Sequence, residues 1–131
     1  MIESFLKDEI VINGKAYTRD DIEIIKKDLP GKSDKNPFVP NMCSYALSQR
    51  YSLDSKDCED VSIVVEYDAK TNKIMDFIVT GIYIPPFLAS LSRKWKGETF
   101  NSPVGSMVEF LIPEDKKIAV SDNGQVVFLW L

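Results

Sequence analysis

DVSIVVEYDAKTNKIMDFIVTGIYI, residues 60–84, is the stretch of this chain that decides its fold. Two apolar runs flank the polar segment 68–72, and this pattern predicts a long antiparallel hairpin. Because side chains alternate between the two faces of a strand, Ile63, Val65 and Tyr67 share one face of the first strand. One face of the second strand is expected to carry Ile74, Ile78, Ile82 and Ile84. Most of the core is therefore expected to pack on this hairpin.

Length and composition indicate one domain that spans residues 1–131. With 44% hydrophobic residues, a chain of this size can bury a core without disulfides or metals. It carries 20 acidic and 16 basic residues, a formal net charge of -4. This balance disfavours nucleic acid and anionic membranes as partners and favours a basic protein surface.

The N-terminus and the cysteines predict a cytoplasmic protein with reduced thiols. Residues 1–10 lack an apolar run of signal-peptide length, and no later stretch reaches the ~18 apolar residues of a membrane span. Cys43 and Cys58 lie 15 positions apart and form no CxxC pair. We therefore expect neither a disulfide nor a metal site, and no cofactor.

The first half of the chain predicts a second hairpin and two helices. Asn13-Gly14 between apolar residues is typical of a tight hairpin turn. Thr18, followed by acids, predicts a cap for a helix over about residues 19–28. The segment 31–40, with its prolines and glycine, predicts a loop, and a second helix is expected from Asn41 to about residue 50 or 51.

The second half predicts a third helix and further strands. Pro85-Pro86 ends the central hairpin and opens a short helix that stops near Gly97. Strands are expected over residues 105–112, 117–120 and 125–131. The predicted fold is therefore α+β, a predominantly antiparallel curved sheet of about five to seven strands, including the N-terminal hairpin, with two or three short helices.

The last strand, QVVFLWL at residues 125–131, is apolar on both faces. Such a strand belongs in the middle of a sheet that is covered on both sides. A central position within this chain is the simplest interpretation. A partner protein or a second copy of the chain would also cover an apolar face, so a homodimer stays possible.

The most informative chemical feature is the absence of histidine from the chain. Without imidazole, Ser-His-Asp and Cys-His nucleophilic machinery and HExxH zinc chemistry are excluded. No GxxxxGK[ST] or GxGxxG phosphate-binding pattern occurs either. We therefore expect a protein that is not an enzyme.

Three weaker chemical signals each have a simpler structural explanation. Cys43 would lie near a helix N-terminus, where the dipole activates thiols, but a packed thiol is the commoner case. Glu66 and Glu109 are lone acids in apolar strands and could form a catalytic carboxylate pair. The basic cluster at residues 93–96 could contact phosphates, but cations also suit a helix C-terminus.

In size, acidic charge and lack of catalytic motifs, the chain resembles a bacterial immunity protein, a class that neutralises a cognate toxin. This resemblance implies a steric and electrostatic inhibitor of a toxin domain with a basic surface. The residues expected to bind the partner are the acids and two aromatics Asp54, Asp57, Glu59, Asp60, Asp20, Asp21, Tyr51 and Trp95.

Two alternatives belong to other functional classes. A small-ligand carrier or a histidine-independent enzyme would show a deep apolar pocket that contains a carboxyl group of raised pKa. A homodimeric structural subunit would show a large apolar self-interface along the last strand.

Overall fold

A computed structural model describes residues 7–53, 60–81, 84–102, 105–112, 116–121 and 126–129, with backbone alone for residues 84–88 and 126–129. In these residues the chain forms two helices and ten strands. The helices are α1 (Ile22–Asp28) and α2 (Ile84–Lys94). The strands are β1 (Ile10–Ile12), β2 (Lys15–Tyr17), β3 (Gly31–Lys35), β4 (Met42–Leu47), β5 (Ser62–Asp68), β6 (Lys73–Thr80), β7 (Gly97–Ser102), β8 (Gly105–Ile112), β9 (Lys116–Ser121) and β10 (Val126–Leu129).

Eight of the strands form one antiparallel sheet in the order β3-β4-β5-β6-β10-β9-β8-β7, and β1 and β2 form a separate hairpin. Two four-stranded meanders, β3 to β6 and β7 to β10, join through their last strands. A helix precedes each meander, so one helix followed by four strands occurs twice along the chain. The predicted α+β class and antiparallel pairing are confirmed. The prediction of five to seven strands in a single curved sheet is wrong, because the described residues form ten strands in two sheets.

The central hairpin forms as predicted from β5 and β6, and Ile63, Val65 and Tyr67 are all buried on one face. The predicted face of β6 is wrong beyond Ile74. Tyr67 pairs with Ile74 but Glu66 pairs with Asp76, so Met75 is an extra residue in a β-bulge. A bulge reverses the alternation of side chains along its strand.

The consequence of the bulge is that Phe77 and Val79 join Ile74 in the core, while Ile78 turns to the other face. Ile82 lies outside the described residues, and Ile84 begins α2 instead of extending the strand.

One face of the large sheet holds the main apolar core, and we call it the helix face. It carries Tyr45, Val65, Phe77, Phe110 and Ile118, which are at most 5% exposed. Side chains from both helices are buried in the same cluster, namely Ile22, Ile25 and Leu91. The helices therefore cover this face, and the opposite one is called the second face.

Strand β10 is central, as its two apolar faces predicted. It pairs with β6 on one side and with β9 on the other. Next to it on the second face, Ala119 is 1% exposed and Met107, one strand further, is 2% exposed. An intramolecular position therefore accounts for the double-faced apolar pattern of residues 126–129.

Three predictions for residues 18–51 need correction. Helix α1 begins at Ile22, three residues later than expected, because the Asp21 carboxylate accepts a hydrogen bond from the Thr18 backbone N–H at 2.8 Å and closes a turn there. The segment 31–40 is a loop only in part, since β3 occupies Gly31–Lys35. The helix expected from Asn41 is strand β4, Met42–Leu47.

The apolar pattern of β4 fits the period of a helix and also that of a strand, which explains why a helix was predicted there. Met42, Tyr45 and Ala46 have helical spacing, but Tyr45 and Leu47 also alternate with exposed Ala46. Pairing with β5 buries Tyr45 and Leu47 on the helix face, where a helix would have left the edge of β5 without a partner. Tertiary pairing therefore overrides the local helical pattern.

Among the helices that the structure describes, none has the length and apolar character that crossing a membrane requires.

Candidate functional site

The most exposed apolar side chain among the described residues, Phe38, lies at one end of the large sheet, which we call the hairpin end. This end carries the β3–β4 loop at residues 36–41 and the β5–β6 turn at residues 69–72. The Ala69 backbone N–H donates to the Asn41 carbonyl at 2.8 Å, so the loop and the turn lie side by side. Together they form one continuous surface.

The β3–β4 loop presents a bare aromatic ring. Phe38 is 91% exposed and its neighbour Val39 is 45% exposed. The Phe38 ring therefore packs little against the described residues and adds little to the core.

Local bonds hold this loop in one conformation. The Asn36 side-chain Oδ1 accepts hydrogen bonds from the backbone N–H groups of Phe38 at 2.8 Å and Val39 at 3.1 Å. Pro37 and Pro40 restrict the backbone on either side of the exposed pair. The ring is therefore presented before any partner arrives, which lowers the entropy cost of binding.

On the other side of the β5–β6 turn lies a groove of about 640 Å³. Its walls carry charges of both signs, from Lys7, Asp8, Glu9, Arg19, Asp20, Asp68 and Lys73, together with Thr18, Thr71, Ile74 and Met75. A groove that is open to solvent and carries so many charged residues differs from the deep apolar pocket expected for a small-ligand carrier.

The predicted acidic residues are not gathered in one place. Asp20 lines the groove at the hairpin end, whereas Asp21 is the N-cap residue of α1. Asp60 lies at the opposite end of β5, where its 75% exposed carboxylate is 3.4 Å from the Arg50 guanidinium. At about 3.3 Å per residue, β5 separates Asp60 from the turn at Asp68 by about 25 Å. Asp54, Asp57 and Glu59 lie outside the described residues.

The two predicted aromatic anchors are half-buried against the core. The backbone of Tyr51 pairs with Val61 in both directions, at 3.0 and 2.9 Å, beside Asp60. Trp95 follows α2, where its backbone N–H donates to the Leu91 carbonyl at 2.9 Å, and it precedes β7 at the far edge of the sheet. Tyr51 and Trp95 therefore lie in different regions of the molecule.

Two carboxyl groups face each other on the second face of the sheet. Asp76 is the cross-strand partner of Glu66. Burial, and then the charge and hydrogen bond of Glu66, raise the pKa of Asp76 to about 6, although Arg19 opposes the shift. Glu109, the partner expected for Glu66, is four strands away and lies 3.9 Å from the Lys117 ammonium. The raised carboxyl pKa belongs to a sheet surface and does not lie within the groove.

We expect Asp76→Asn to stabilise the protein at pH 7.5 by about 1 kcal/mol, since solvent screens a half-buried carboxylate. Between about pH 4 and 6, folded Asp76 retains a proton that the unfolded chain has lost. The free energy of unfolding of the wild type should therefore rise as pH falls through this window, and the variant should lose that rise. Urea unfolding at pH 7.5 and 4.5 measures both effects.

Asp20→Asn, at an exposed carboxylate before α1, is the matched control and should change stability by less than about 0.5 kcal/mol. A loss of stability in Asp76→Asn at pH 7.5 would contradict the interpretation.

The structure shows where the two remaining sequence signals, Cys43 and the basic cluster, lie in the fold. Cys43 lies in strand β4 and not at a helix N-terminus, and it packs against the core, which agrees with the packed thiol that was the favoured interpretation. In the basic cluster at residues 93–96, the Lys94 ammonium lies 5.8 Å from the centre of the Trp95 ring, at the end of α2. Within the described ranges, no three His, Cys, Asp or Glu side chains are grouped as metal ligands.

The sequence interpretation did not include Phe38 among the candidate site residues. The segment NPFVPN at residues 36–41 does carry a signal, because prolines on both sides of an apolar pair indicate a stiff loop. Whether that pair points into the core or into solvent depends on the strands before and after it.

In comparisons with known proteins, no family model, no curated protein and no solved structure matches this chain. The proposal for its function therefore depends on the surface chemistry of its own residues.

Proposed function

We propose that this protein is a non-enzymatic inhibitor that binds another protein. Its proposed role is that of a cytoplasmic immunity protein that neutralises a toxin by covering its surface. The observation that carries the proposal is the 91% exposed ring of Phe38 on a loop held rigid by its own hydrogen bonds. Protein interfaces are typically centred on one or a few buried aromatic anchors.

The energetics favour Phe38 as such an anchor. Burying a phenylalanine side chain contributes about 2–3 kcal/mol, a large share of a typical hot-spot cluster. Because the Asn36 bonds already fix the loop, little of this energy is spent on ordering it. Phe38 and Val39 therefore form the apolar centre of the proposed interface.

Charged residues around the anchor would orient the partner. Asp20 and Asp68 line the groove beyond the β5–β6 turn, and Lys35 lies beside the loop. Charge patterns of this kind set orientation and association rate more than affinity. The net charge of -4 still favours a toxin domain with a basic surface.

Asp60 would act separately from the Phe38 loop. It lies at the opposite end of β5, about 25 Å from the hairpin end. That distance exceeds the Debye length of about 8 Å at physiological ionic strength. Charge at Asp60 should therefore influence the approach of a partner without contacting the groups that Phe38 touches.

Phe38→Ser tests the proposal with a toxin domain encoded beside the gene of this protein. We expect the dissociation constant, measured by calorimetry, to rise about 100-fold, because the variant removes an aromatic anchor worth about 2–3 kcal/mol. The urea midpoint should stay unchanged, because the ring makes no contribution to the core.

Phe100→Ser is the matched control, since Phe100 is a partly exposed phenylalanine on edge strand β7. Its affinity for the toxin should match that of the wild type. Equal affinity of Phe38→Ser and wild type would remove Phe38 from the interface, and failure of the neighbouring toxin to bind the wild type would remove the inhibitor proposal.

A further inference from the structure

Among the described residues, strand β3 is one edge of the eight-stranded sheet, and all five of its residues are exposed. The hydrogen bonds at its two ends show which backbone groups face outward. The Ser48 N–H donates to the Pro30 carbonyl at 2.9 Å, and the Asn36 N–H donates to the Met42 carbonyl at 2.8 Å. In an antiparallel pair such bonds recur at every second residue. Even-numbered residues of β3 therefore bond to β4.

The odd-numbered residues Gly31, Ser33 and Lys35 consequently direct their N–H and C=O groups away from the sheet. These groups form a template that a further strand can pair with. Edge strands commonly carry lysines that discourage such pairing. In β3, however, Lys32 has an acid, Asp34, two residues away on the same face.

This spacing makes β3 complementary to itself. If two copies pair antiparallel about Ser33, the outward N–H and C=O groups of Ser33 in one copy bond to those of Ser33 in the other. Gly31 of each copy then pairs with Lys35 of the other. Lys32 of each copy then lies directly opposite Asp34 of the other, which places two pairs of unlike charges on one face.

Neighbouring registers are disfavoured by the same charges. A shift of the pairing centre to position 32 sets Lys32 against Lys32, and a shift to position 34 sets Asp34 against Asp34. Both shifts oppose like charges. The other edge strand, β7, has the sequence GETFNS and carries one charge, Glu98, so it offers no pair of unlike charges to a second copy.

We propose that two copies of this chain associate through β3, paired antiparallel about Ser33, to form a continuous sixteen-stranded sheet. The charges of Lys32 and Asp34 select this register. The association uses the backbone edge and two charges of β3 and does not require the ring of Phe38.

Charge exchange tests the interface by sedimentation velocity over a series of protein concentrations. The wild type should approach twice its 14.9 kDa mass as concentration rises. Lys32→Asp and Asp34→Lys should each raise the dimer dissociation constant at least tenfold, because each variant opposes like charges. The double variant should restore dimerisation, since it exchanges the two charges and recreates both pairs.

Lys70→Asp is the matched control, because it makes the same charge change on the exposed β5–β6 turn. It should dimerise like the wild type. A wild type that stays monomeric at every concentration, or dimers indifferent to the single charge reversals, would overturn the proposal.

A crosslink locates the two-fold axis independently of affinity. Directly opposite residues in a hydrogen-bonded antiparallel pair have Cα atoms about 5.5 Å apart, within the range that a disulfide spans. In a chain with Cys43 and Cys58 replaced by serine, Ser33→Cys should give a covalent dimer on mild oxidation. Lys35→Cys should not crosslink, because residue 35 of one copy lies opposite residue 31 of the other, four residues away from residue 35 of that copy. Crosslinking at position 35 but not at position 33 would overturn the proposed register.

Discussion

Deletion of Met75 is expected to destabilise the protein by about 4 kcal/mol. Met75 is the extra residue in the bulge of β6. Without it, strict alternation would turn Ile74, now 2% exposed, toward the second face, or else would break the pairing at the β5–β6 turn. The first outcome forfeits a buried isoleucine, and either outcome disturbs the 2.8 Å bond between the Ile74 N–H and the Arg19 carbonyl. Urea unfolding followed by circular dichroism measures the loss.

Met75→Ala is the control for that deletion. It keeps the extra residue and removes a side chain that is already 43% exposed. We expect it to cost less than about 1 kcal/mol. If the deletion and the substitution had equal effects, the bulge would have no role in setting the faces of β6.

Gly31→Ala is expected to cost about 3 kcal/mol. A Cβ atom at this position would lie 2.5 Å from the Ala46 carbonyl oxygen and 2.7 Å from Cζ of Tyr45. The Tyr45 ring cannot withdraw freely, because it is buried and its hydroxyl donates to the Leu29 carbonyl at 2.6 Å. Relief therefore requires a shift of β3 away from β4 or loss of that buried hydrogen bond.

Ser33→Ala serves as the control in the same strand, and we expect it to change the urea midpoint little because Ser33 is exposed. Gly31→Ala should also weaken the proposed dimer, since a shift of β3 would displace the outward backbone groups that the second copy pairs with. Wild-type stability in Gly31→Ala would show that the glycine is not required by the close approach of Tyr45.

The same arrangement recurs at the start of the second meander. A Cβ at Gly97 would lie 2.6 Å from Val108 Cγ1 and 2.8 Å from Cε1 of Phe110. Each meander therefore begins with a glycine that lies close to an aromatic ring of the next strand. This correspondence supports the two repeats of one helix and four strands, although the sequence shows no internal repeat.

Prediction of the site from sequence was limited by distances that only folding sets. The acids Asp20 and Asp60 belong to segments that look equally polar along the chain. The sheet places them near opposite ends of β5. Phe38 was overlooked for the reverse reason, because an apolar residue in a short loop has the same local pattern whether it is buried or exposed.

The sequence by itself determined the two hairpins at residues 10–17 and 62–80, the central position of the last strand and the absence of histidine chemistry. Each of these follows from local turn residues, from alternation over a few positions or from composition. Only the tertiary structure decided that residues 42–47 form a strand, that a bulge at Met75 reverses a face, and that Phe38 faces solvent. The physical reason is that these features depend on which strand lies beside them, and pairing between distant segments outweighs local preference.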